Sequence, residues 1–210
     1  MPTAASADRK QELLAEFRRA EILSAAQKVF ASKGYDATRM EEIAKAARLA
    51  KGTLYRYFKS KDAVYQATVQ GALDKLAELT HAQVQGAPDF AGKLAAFISV
   101  RIAFWQEHQQ LYRIILSINR QGTHRKRSIA WQREIALYLE SLFAQAARDG
   151  VIPEQDFLEA AWTAVDMIRG VNERRAFGFA AEERPENEDA AFLTGFLLGA
   201  LRAKCVPPAG

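Results

Sequence analysis

Apolar residues recur at spacings of three and four along almost the whole chain, and this helical periodicity limits its fold more than any other feature. No segment shows a sustained alternation of apolar and polar residues with the β-branched side chains that predict a strand. Glycine, proline and polar residues interrupt the periodicity at intervals. The sequence therefore predicts an all-α protein of about nine helices.

The charge of the chain is distributed unevenly. Residues 1–61 hold 13 Lys and Arg against 7 Asp and Glu, whereas residues 62–210 hold 16 against 18. Because Lys and Arg neutralise phosphates and supply most of the nonspecific affinity for DNA, a basic first third indicates a module that binds nucleic acid. Residues 62–210 are close to neutral and are expected to form a part of the protein that does not bind nucleic acid.

The first helices are marked by their end residues. One is predicted from about Leu13 up to Gly34, which suits the left-handed conformation that ends a helix. Thr38 is predicted to cap a short second helix at about residues 39–47, with Glu41 completing a capping box. The other helices are predicted at about residues 51–57, 61–85, 89–107, 110–120, 124–149, 154–180 and 188–204. Two short helices joined by a three-residue turn are typical of a helix-turn-helix, whose second helix enters the major groove of DNA.

The segment from Ile22 to Val69 carries a longer pattern. In order it holds Gly34-Tyr35, Thr38, Ile43-Ala44, Ala47, Lys51-Gly52-Thr53-Leu54-Tyr55, Tyr57-Phe58 and Ser60-Lys61. This pattern resembles the helix-turn-helix of the TetR family of bacterial transcriptional regulators. The resemblance implies a DNA-binding N-terminal domain joined to a helical domain that dimerises and binds a small molecule. A ligand-responsive repressor of a palindromic operator is the function expected, and a ligand-independent regulator or an activator is the alternative.

The residues predicted to contact double-stranded DNA lie on or beside the third helix. Leu54 and Phe58 are four apart and should pack beneath that helix, which leaves its other side chains facing outward. The predicted set is Thr38, Arg39, Lys51, Gly52, Thr53, Tyr55, Arg56, Tyr57, Lys59 and Lys61. Lys51, Thr53 and Arg56 have the chemistry to read base edges. The remaining polar side chains suit phosphate oxygens, as do the nearby helix N-termini.

Arg48 and Ala50 depart from the family pattern, which usually has glycine and a capping serine at these two positions. If Arg48 adopts a positive φ, the turn loses on the order of 1 kcal/mol relative to glycine. A missing N-cap costs about as much again. The sequence therefore predicts a locally weakened turn within an intact fold, and whether the geometry of the turn changes is left open.

The last helix is apolar on almost every side, so it must be covered. The resemblance implies that the last two long helices form a four-helix interface between two copies of the chain. Phe192, Gly195, Phe196 and Gly199 are the residues predicted at this homodimer interface. A symmetric dimer would present two recognition helices and hence require a palindromic operator.

Aromatic residues are frequent in the central helices, where the resemblance implies a pocket for an unidentified small-molecule effector. Arg101, Trp105 and His108 share one helical face, and Trp162, Asp166 and Arg169 share another. The predicted lining consists of these six residues and Trp131. Ordinary core packing is the alternative for each aromatic, and a surface ion pair is the alternative for Asp166 and Arg169.

The sequence contains no catalytic motif and no metal-ligand spacing, so it predicts neither an enzyme nor a cofactor site. A single cysteine, charges within every long apolar stretch and no apolar leader favour a cytoplasmic protein without membrane contact. The domains are predicted as a flexible segment at 1–15, the helix-turn-helix at 16–62, the effector and dimerisation domain at 63–206 and a disordered tail at 207–210. Arg9, Lys10, Arg18 and Arg19 are expected to be solvated rather than part of a DNA-binding arm.

Overall fold

A computed structural model of the protein describes residues 4–118, 122–179 and 185–202, and the predicted tail at 207–210 lies outside them. The described residues form nine helices and no strand, which confirms the all-α prediction. The helices are α1 (Ala4–Lys33), α2 (Met40–Ala46), α3 (Lys51–Tyr57), α4 (Lys61–Gly86), α5 (Phe90–Glu107), α6 (Gln109–Ile118), α7 (Gly122–Arg148), α8 (Phe157–Phe177) and α9 (Glu186–Arg202). Most of the predicted ends agree within a few residues. The clear difference is α1, which begins at Ala4, so residues 4–15 of the segment predicted to be flexible are helical.

Contacts divide the chain into two compact units, one up to Asp74 and one from Lys75. This division falls inside α4, later than the boundary predicted from the sequence. A continuous helix can span such a division because its backbone hydrogen bonds are satisfied within the helix and need no partner element.

In the first unit, α2 packs against both α1 and α3. The core is formed by fully buried apolar side chains, among them Ile22, Phe30, Ile43, Leu54 and Val64. Ala44 is also buried, and its small side chain lets the helices approach each other closely. The result is a small core that fixes the orientation of α3.

The start of α2 differs by one residue from the predicted cap. Arg39, rather than Thr38, is the N-cap residue, and its backbone N–H donates to the Glu42 carboxylate at 2.9 Å. The Thr38 hydroxyl instead donates to the Gly34 carbonyl oxygen at 2.6 Å, and the side chain is buried. Thr38 therefore closes the turn between α1 and α2 and does not cap α2.

In the second unit, α5 packs against α8 and α9, and α7 packs against α8. Phe97, Ile98, Leu139 and Phe143 are fully buried where these helices meet. Buried alanines on α8, Ala161 and Ala164, permit the close approach of the neighbouring helices. The Arg175 guanidinium also bonds the Asp189 carboxylate at 2.6 and 2.8 Å, which ties α8 to α9.

Candidate nucleic-acid interface

The two sides of α3 have different environments. Leu54 and Phe58 are buried, as their spacing predicts, and they anchor the helix against the core. Lys51, Gly52 and Arg56 are exposed, whereas Thr53, Tyr55 and Tyr57 are half-buried. No neighbouring atom lies within 4 Å of the position that a Cβ would occupy at Gly52, so a ligand backbone can approach the helix there.

The turn between α2 and α3 contains a residue with a positive φ, one of the two conformations that the sequence allowed. Arg48 has φ of 56°, the left-handed region in which glycine is normally favoured. Its N–H donates to the Lys45 carbonyl oxygen at 3.1 Å, and the Leu49 N–H donates to that of Ala44 at 2.9 Å. The backbone therefore makes a tight helix-turn-helix connection in spite of a side chain that disfavours it. Ala50, at the N-cap of α3, supplies no side-chain cap.

Lys51 is held by its neighbours on the exposed surface. Its ammonium group lies 2.5 Å from a Glu41 carboxylate oxygen and 5.9 Å from the centroid of the Tyr55 ring. The hydrogen bond from Lys51 lowers the pKa of the Glu41 carboxyl, and the same bond raises the pKa of Lys51. Lys51 must therefore exchange this carboxylate for a nucleic-acid acceptor if it contacts DNA, whereas the exposed Arg56 is in position without such an exchange.

Two residues predicted to contact phosphate use their polar groups inside the protein. Lys61 donates to the backbone carbonyl oxygens of Tyr35 at 2.7 Å and of Asp36 at 3.0 Å. Thr38 is only 2% exposed, and its hydroxyl is bonded to Gly34. Both residues therefore position the helix-turn-helix. Arg39 and Lys59, the other flanking residues, are exposed.

Residues of α1 and α3 line a cleft that was not predicted from the sequence. A cleft of about 360 Å³ is lined by Gln11, Leu14, Ala15 and Arg18 of α1 and by Arg56 and Tyr57 of α3. In the same region the Arg19 guanidinium lies 4.7 Å from the centroid of the Phe58 ring. The spacing of Gln11, Leu14 and Arg18 places them on one helical face. This face could have been recognised in the sequence if α1 had been predicted to begin at residue 4 and not at about Leu13.

The second unit contains a buried arginine. Arg101 is 8% exposed, and one terminal nitrogen donates to the Thr80 hydroxyl at 2.8 Å. Its guanidinium carbon lies 3.8 Å from the centroid of the Phe97 ring, and its Nε has no hydrogen-bond acceptor. Burial lowers the pKa of this guanidinium to about 10, so Arg101 remains a cation at neutral pH.

The other aromatic residues predicted for the pocket lie on or beside α5, α7 and α8. Trp105 is buried against Tyr112, with ring centroids 4.9 Å apart, and His108 packs on Phe104 at 4.3 Å. Trp162 is partly buried against the core of the second unit, and Trp131 is half-buried. Trp105, His108 and Trp162 therefore make packing contacts within the second unit.

Arg169 lines a second cleft, between α6, α7 and α8. This cleft has a volume of about 360 Å³ and is lined by Tyr112, Ile115, Leu116, Arg125, Ser128, Ile129, Gln132, Arg169 and Glu173. Arg169 bonds the carboxylates of Asp166 and Glu173, both at 3.0 Å. The pair of Asp166 and Arg169 is thus an ion pair at the edge of a cleft that combines apolar and charged walls.

The residues predicted for the dimer interface lie on one exposed face of α9. Phe192 and Phe196 are 61% and 55% exposed, and Gly195 and Gly199 are exposed beside them. The opposite face of α9 carries Leu193 and Leu197, which are buried within the second unit. A face with two large exposed aromatics is unusual for a monomer and is typical of a surface that is covered in an assembly.

Groups of three or more His, Cys, Asp or Glu side chains that could hold a metal ion do not occur in the described part of the chain. Within the same residues, no helix is both long and apolar enough to cross a lipid bilayer.

Comparison with known proteins matches residues 22–68 to the family described as "Bacterial regulatory proteins, tetR family". The HTH-type transcriptional activator FasR of Mycolicibacterium smegmatis is 35% identical over 98 residues, which are 47% of this chain and 45% of the relative. The HTH-type transcriptional regulator HbdR of Aromatoleum sp. is 37% identical over 73 residues, 35% of this chain and 32% of the relative. The chain therefore spans less than half the length of either relative in these matches.

A solved structure shares the fold over nearly the whole chain. The fatty acid degradation regulator FadR from Bacillus halodurans superposes with a TM-score of 0.76 at 22% identity, covering 89% of this chain and 97% of the other. At this identity the likeness supports the helical architecture of both units and nothing about the ligand.

Proposed function

The chain belongs to the TetR family of bacterial regulatory proteins, and we propose that it is a transcriptional regulator that binds a palindromic operator as a homodimer and responds to a small-molecule effector. The exposed surface of α3, with Lys51, Gly52 and Arg56 above a buried Leu54, is the observation that carries the DNA-binding part of this proposal. The family and the relatives are regulators and not enzymes.

The side chains on and around α3 divide into two groups by their reach and chemistry. Arg56, and Lys51 once it leaves Glu41, have the donors to bond guanine O6 and N7, and Thr53 can contact a base edge or a thymine methyl group. Tyr55, Tyr57, Arg39 and Lys59 surround this surface and bond phosphates. The first group specifies the sequence of the operator, and the second group positions the protein on it.

Binding of the purified protein to the palindrome nearest its own gene, measured by fluorescence anisotropy at several salt concentrations, tests this function. We expect Arg56→Ala to weaken the complex and to lower the salt dependence, because a cation at the interface is lost. Arg133→Ala removes an exposed cation from α7 in the second unit and serves as the matched control. Equal losses for the two variants, or no binding to any palindrome by the wild type, would contradict DNA binding through α3.

The exposed face of α9 supports the homodimer. Phe192 and Phe196 stack on each other with centroids 6.3 Å apart, so they form a continuous apolar ridge. Phe177, in the last turn of α8, is also half exposed. Covering these side chains with the same face of a second copy removes apolar area from water and gives the two-fold symmetry that a palindromic operator requires.

Effector binding in the second unit is supported by two features, the cleft bounded by Arg169 and the buried cation Arg101. The proposed lining remains Arg101, Trp105, His108, Trp131, Trp162, Asp166 and Arg169. The ligand-independent alternative requires a second unit in which no small molecule changes operator affinity. A mobility-shift titration with candidate effectors separates the two, because only a ligand that binds two conformations unequally can shift the operator complex.

We propose that the protein represses transcription, since repression is the commonest mode of regulation in the family. The Mycolicibacterium relative is an activator, so activation is the alternative. A reporter gene behind the operator, compared with and without the protein, decides between them.

A further inference from the structure

Arg101 differs from Arg175, an arginine of the second unit whose side chain is also mostly buried. The charge of Arg175 is compensated by a bond to the Asp189 carboxylate. Arg101 is bonded instead to a neutral hydroxyl, that of Thr80, and stacked on the apolar ring of Phe97. Among the described residues, no carboxylate lies within ion-pair distance of Arg101.

An unpaired cation in such surroundings is destabilising. Removal from water costs a charged group its hydration, and a hydroxyl and an aromatic ring replace only part of it. The lowered pKa of Arg101 has the same cause, because desolvation disfavours the charged form. An apolar residue at this position would pack without that cost, so the charge of Arg101 is expected to have a use other than stability.

The free hydrogen-bonding capacity of Arg101 indicates what would satisfy it. Its Nε carries a proton without an acceptor and is buried. A guanidinium that offers Nε together with a terminal nitrogen matches the two oxygens of a carboxylate in the bidentate geometry. Uncharged aromatic residues lie beside Arg101: Phe97 lies under its guanidinium, Tyr138 stacks on Phe97 at 5.8 Å, and Trp105 follows one turn later on α5. They would contact an apolar body and would not neutralise a second negative charge.

We infer that the effector is a monocarboxylic acid with an apolar body and that Arg101 binds its carboxylate. This inference rests on the effector response proposed above and names the ligand class and its anchor. The carboxylate takes the place of the Thr80 hydroxyl as the principal acceptor for the guanidinium. Thr80 belongs to α4, the helix that begins at Lys61 beside the helix-turn-helix, so the exchange removes a hydrogen bond that joins α5 to α4.

The test measures the thermal unfolding of the full-length protein with octanoate and phenylacetate, against octanol and phenylacetamide as neutral compounds of the same shape. A ligand that binds only the folded state raises the Tm with concentration. We expect both carboxylates to raise the Tm and the neutral compounds to have at least tenfold weaker effects. Inorganic phosphate, as an anion without an apolar body, is expected to have no effect at equal ionic strength.

Two variants locate the response. Arg101→Met retains the length of the side chain and removes the charge, so we expect it to fold with an unchanged or higher Tm and to lose the carboxylate response at least tenfold. Arg101→Lys retains the charge and loses the bidentate edge, so an intermediate response is expected. Arg133→Met, at an exposed position of α7, removes a cation outside this position and serves as the control for ionic effects.

The inference is overturned if no carboxylate raises the Tm, if the neutral compounds act equally, or if Arg101→Met responds like the wild type. A marked fall in the Tm of Arg101→Met without ligand also overturns it, since Arg101 would then be a structural anchor. Operator binding without ligand is measured on the same samples. If it is retained while the carboxylates are inactive, this inference fails alone, whereas absent operator binding means that the proposed function fails as well.

Discussion

The Lys61 ammonium group lies 2.7 Å from the Tyr35 carbonyl oxygen and 4.5 Å from the centroid of the Tyr35 ring. One side chain at the start of α4 thus binds both the backbone and the aromatic face of the turn that follows α1. The Tyr35 ring in turn packs on Phe30 and Tyr65, at 5.7 and 5.3 Å between centroids. Lys61 therefore connects the first turn of α4 to the aromatic core of the DNA-binding unit.

Replacement of Lys61 by methionine should lower the free energy of unfolding. The variant keeps the aliphatic stem and loses two hydrogen bonds from a charged donor, which predicts a loss of about 1–2 kcal/mol in urea denaturation. Lys59→Met removes a neighbouring exposed cation and is expected to leave stability unchanged while weakening DNA binding slightly. A Lys61→Met protein of wild-type stability that binds DNA with a reduced salt slope would instead make Lys61 a phosphate contact.

The positive φ of Arg48 predicts that glycine stabilises the turn. Arg48→Gly removes the steric conflict of a side chain in the left-handed region and should raise the free energy of unfolding by about 1 kcal/mol. Arg48→Ala keeps the conflict and is the control, for which no gain is expected. If alanine stabilises as much as glycine, the cost at this position comes from the arginine side chain and not from the backbone.

Arg56 and Tyr57 should respond differently to changes in the operator. Arg56→Ala is expected to cost about 1–3 kcal/mol on the preferred operator and to relax selection at one base pair, because a base-edge contact is lost. Tyr57→Phe removes a hydroxyl that suits phosphate and should weaken all operators about equally. Binding to a library of single-base operator variants measures both effects. A uniform loss for Arg56→Ala would place Arg56 on the phosphates.

The helices and the outward surface of α3 could be predicted because their signals are local. The spacing of Leu54 and Phe58 is sufficient to tell which side of α3 is buried, and Gly34 is sufficient to end α1. The N-cap of α2 was predicted one residue too early. The Thr38 hydroxyl can bond either a backbone group of the following helix or one in the preceding turn. The Thr38 side chain is buried in the first unit, where its hydroxyl bonds the preceding Gly34 carbonyl oxygen.

The contacts that the sequence did not reveal join residues far apart in the chain. Lys61 and Tyr35 are separated by 26 positions, and Arg101 and Thr80 by 21. From composition alone, a lysine at a helix start is interpreted as a DNA contact. An arginine among aromatic residues is interpreted in the same way as an effector contact. Only the folded chain distinguishes Lys61, which bonds two backbone carbonyl oxygens of its own unit, from Arg101, whose charge has no counterion among the described residues.

The exposed aromatic ridge of α9 predicts the effect of a charge at its centre. Phe192→Glu should convert the proposed homodimer into a folded monomer, because a carboxylate buried against a second copy without a partner is strongly unfavourable. Leu137→Glu, at an exposed position of α7, is the control for a new surface charge. Sedimentation velocity gives the assembly state and circular dichroism gives the helix content. A Phe192→Glu protein that stays dimeric would move the interface away from this face of α9.

Replacement of Thr80 by valine should partly reproduce the effect of the proposed effector on DNA binding. Valine has the shape of threonine without the hydroxyl, so Arg101 loses the acceptor that links it to α4. We expect operator affinity to change in the same direction as with a bound carboxylate, on the order of fivefold, a typical size for coupling between sites. Thr68→Val is the matched control, since Thr68 is also buried on α4 and bonds the carbonyl oxygen four residues earlier, at 2.9 Å. If the two variants change operator affinity equally, the loss of a buried hydroxyl from α4 is responsible, and the release of Arg101 is not.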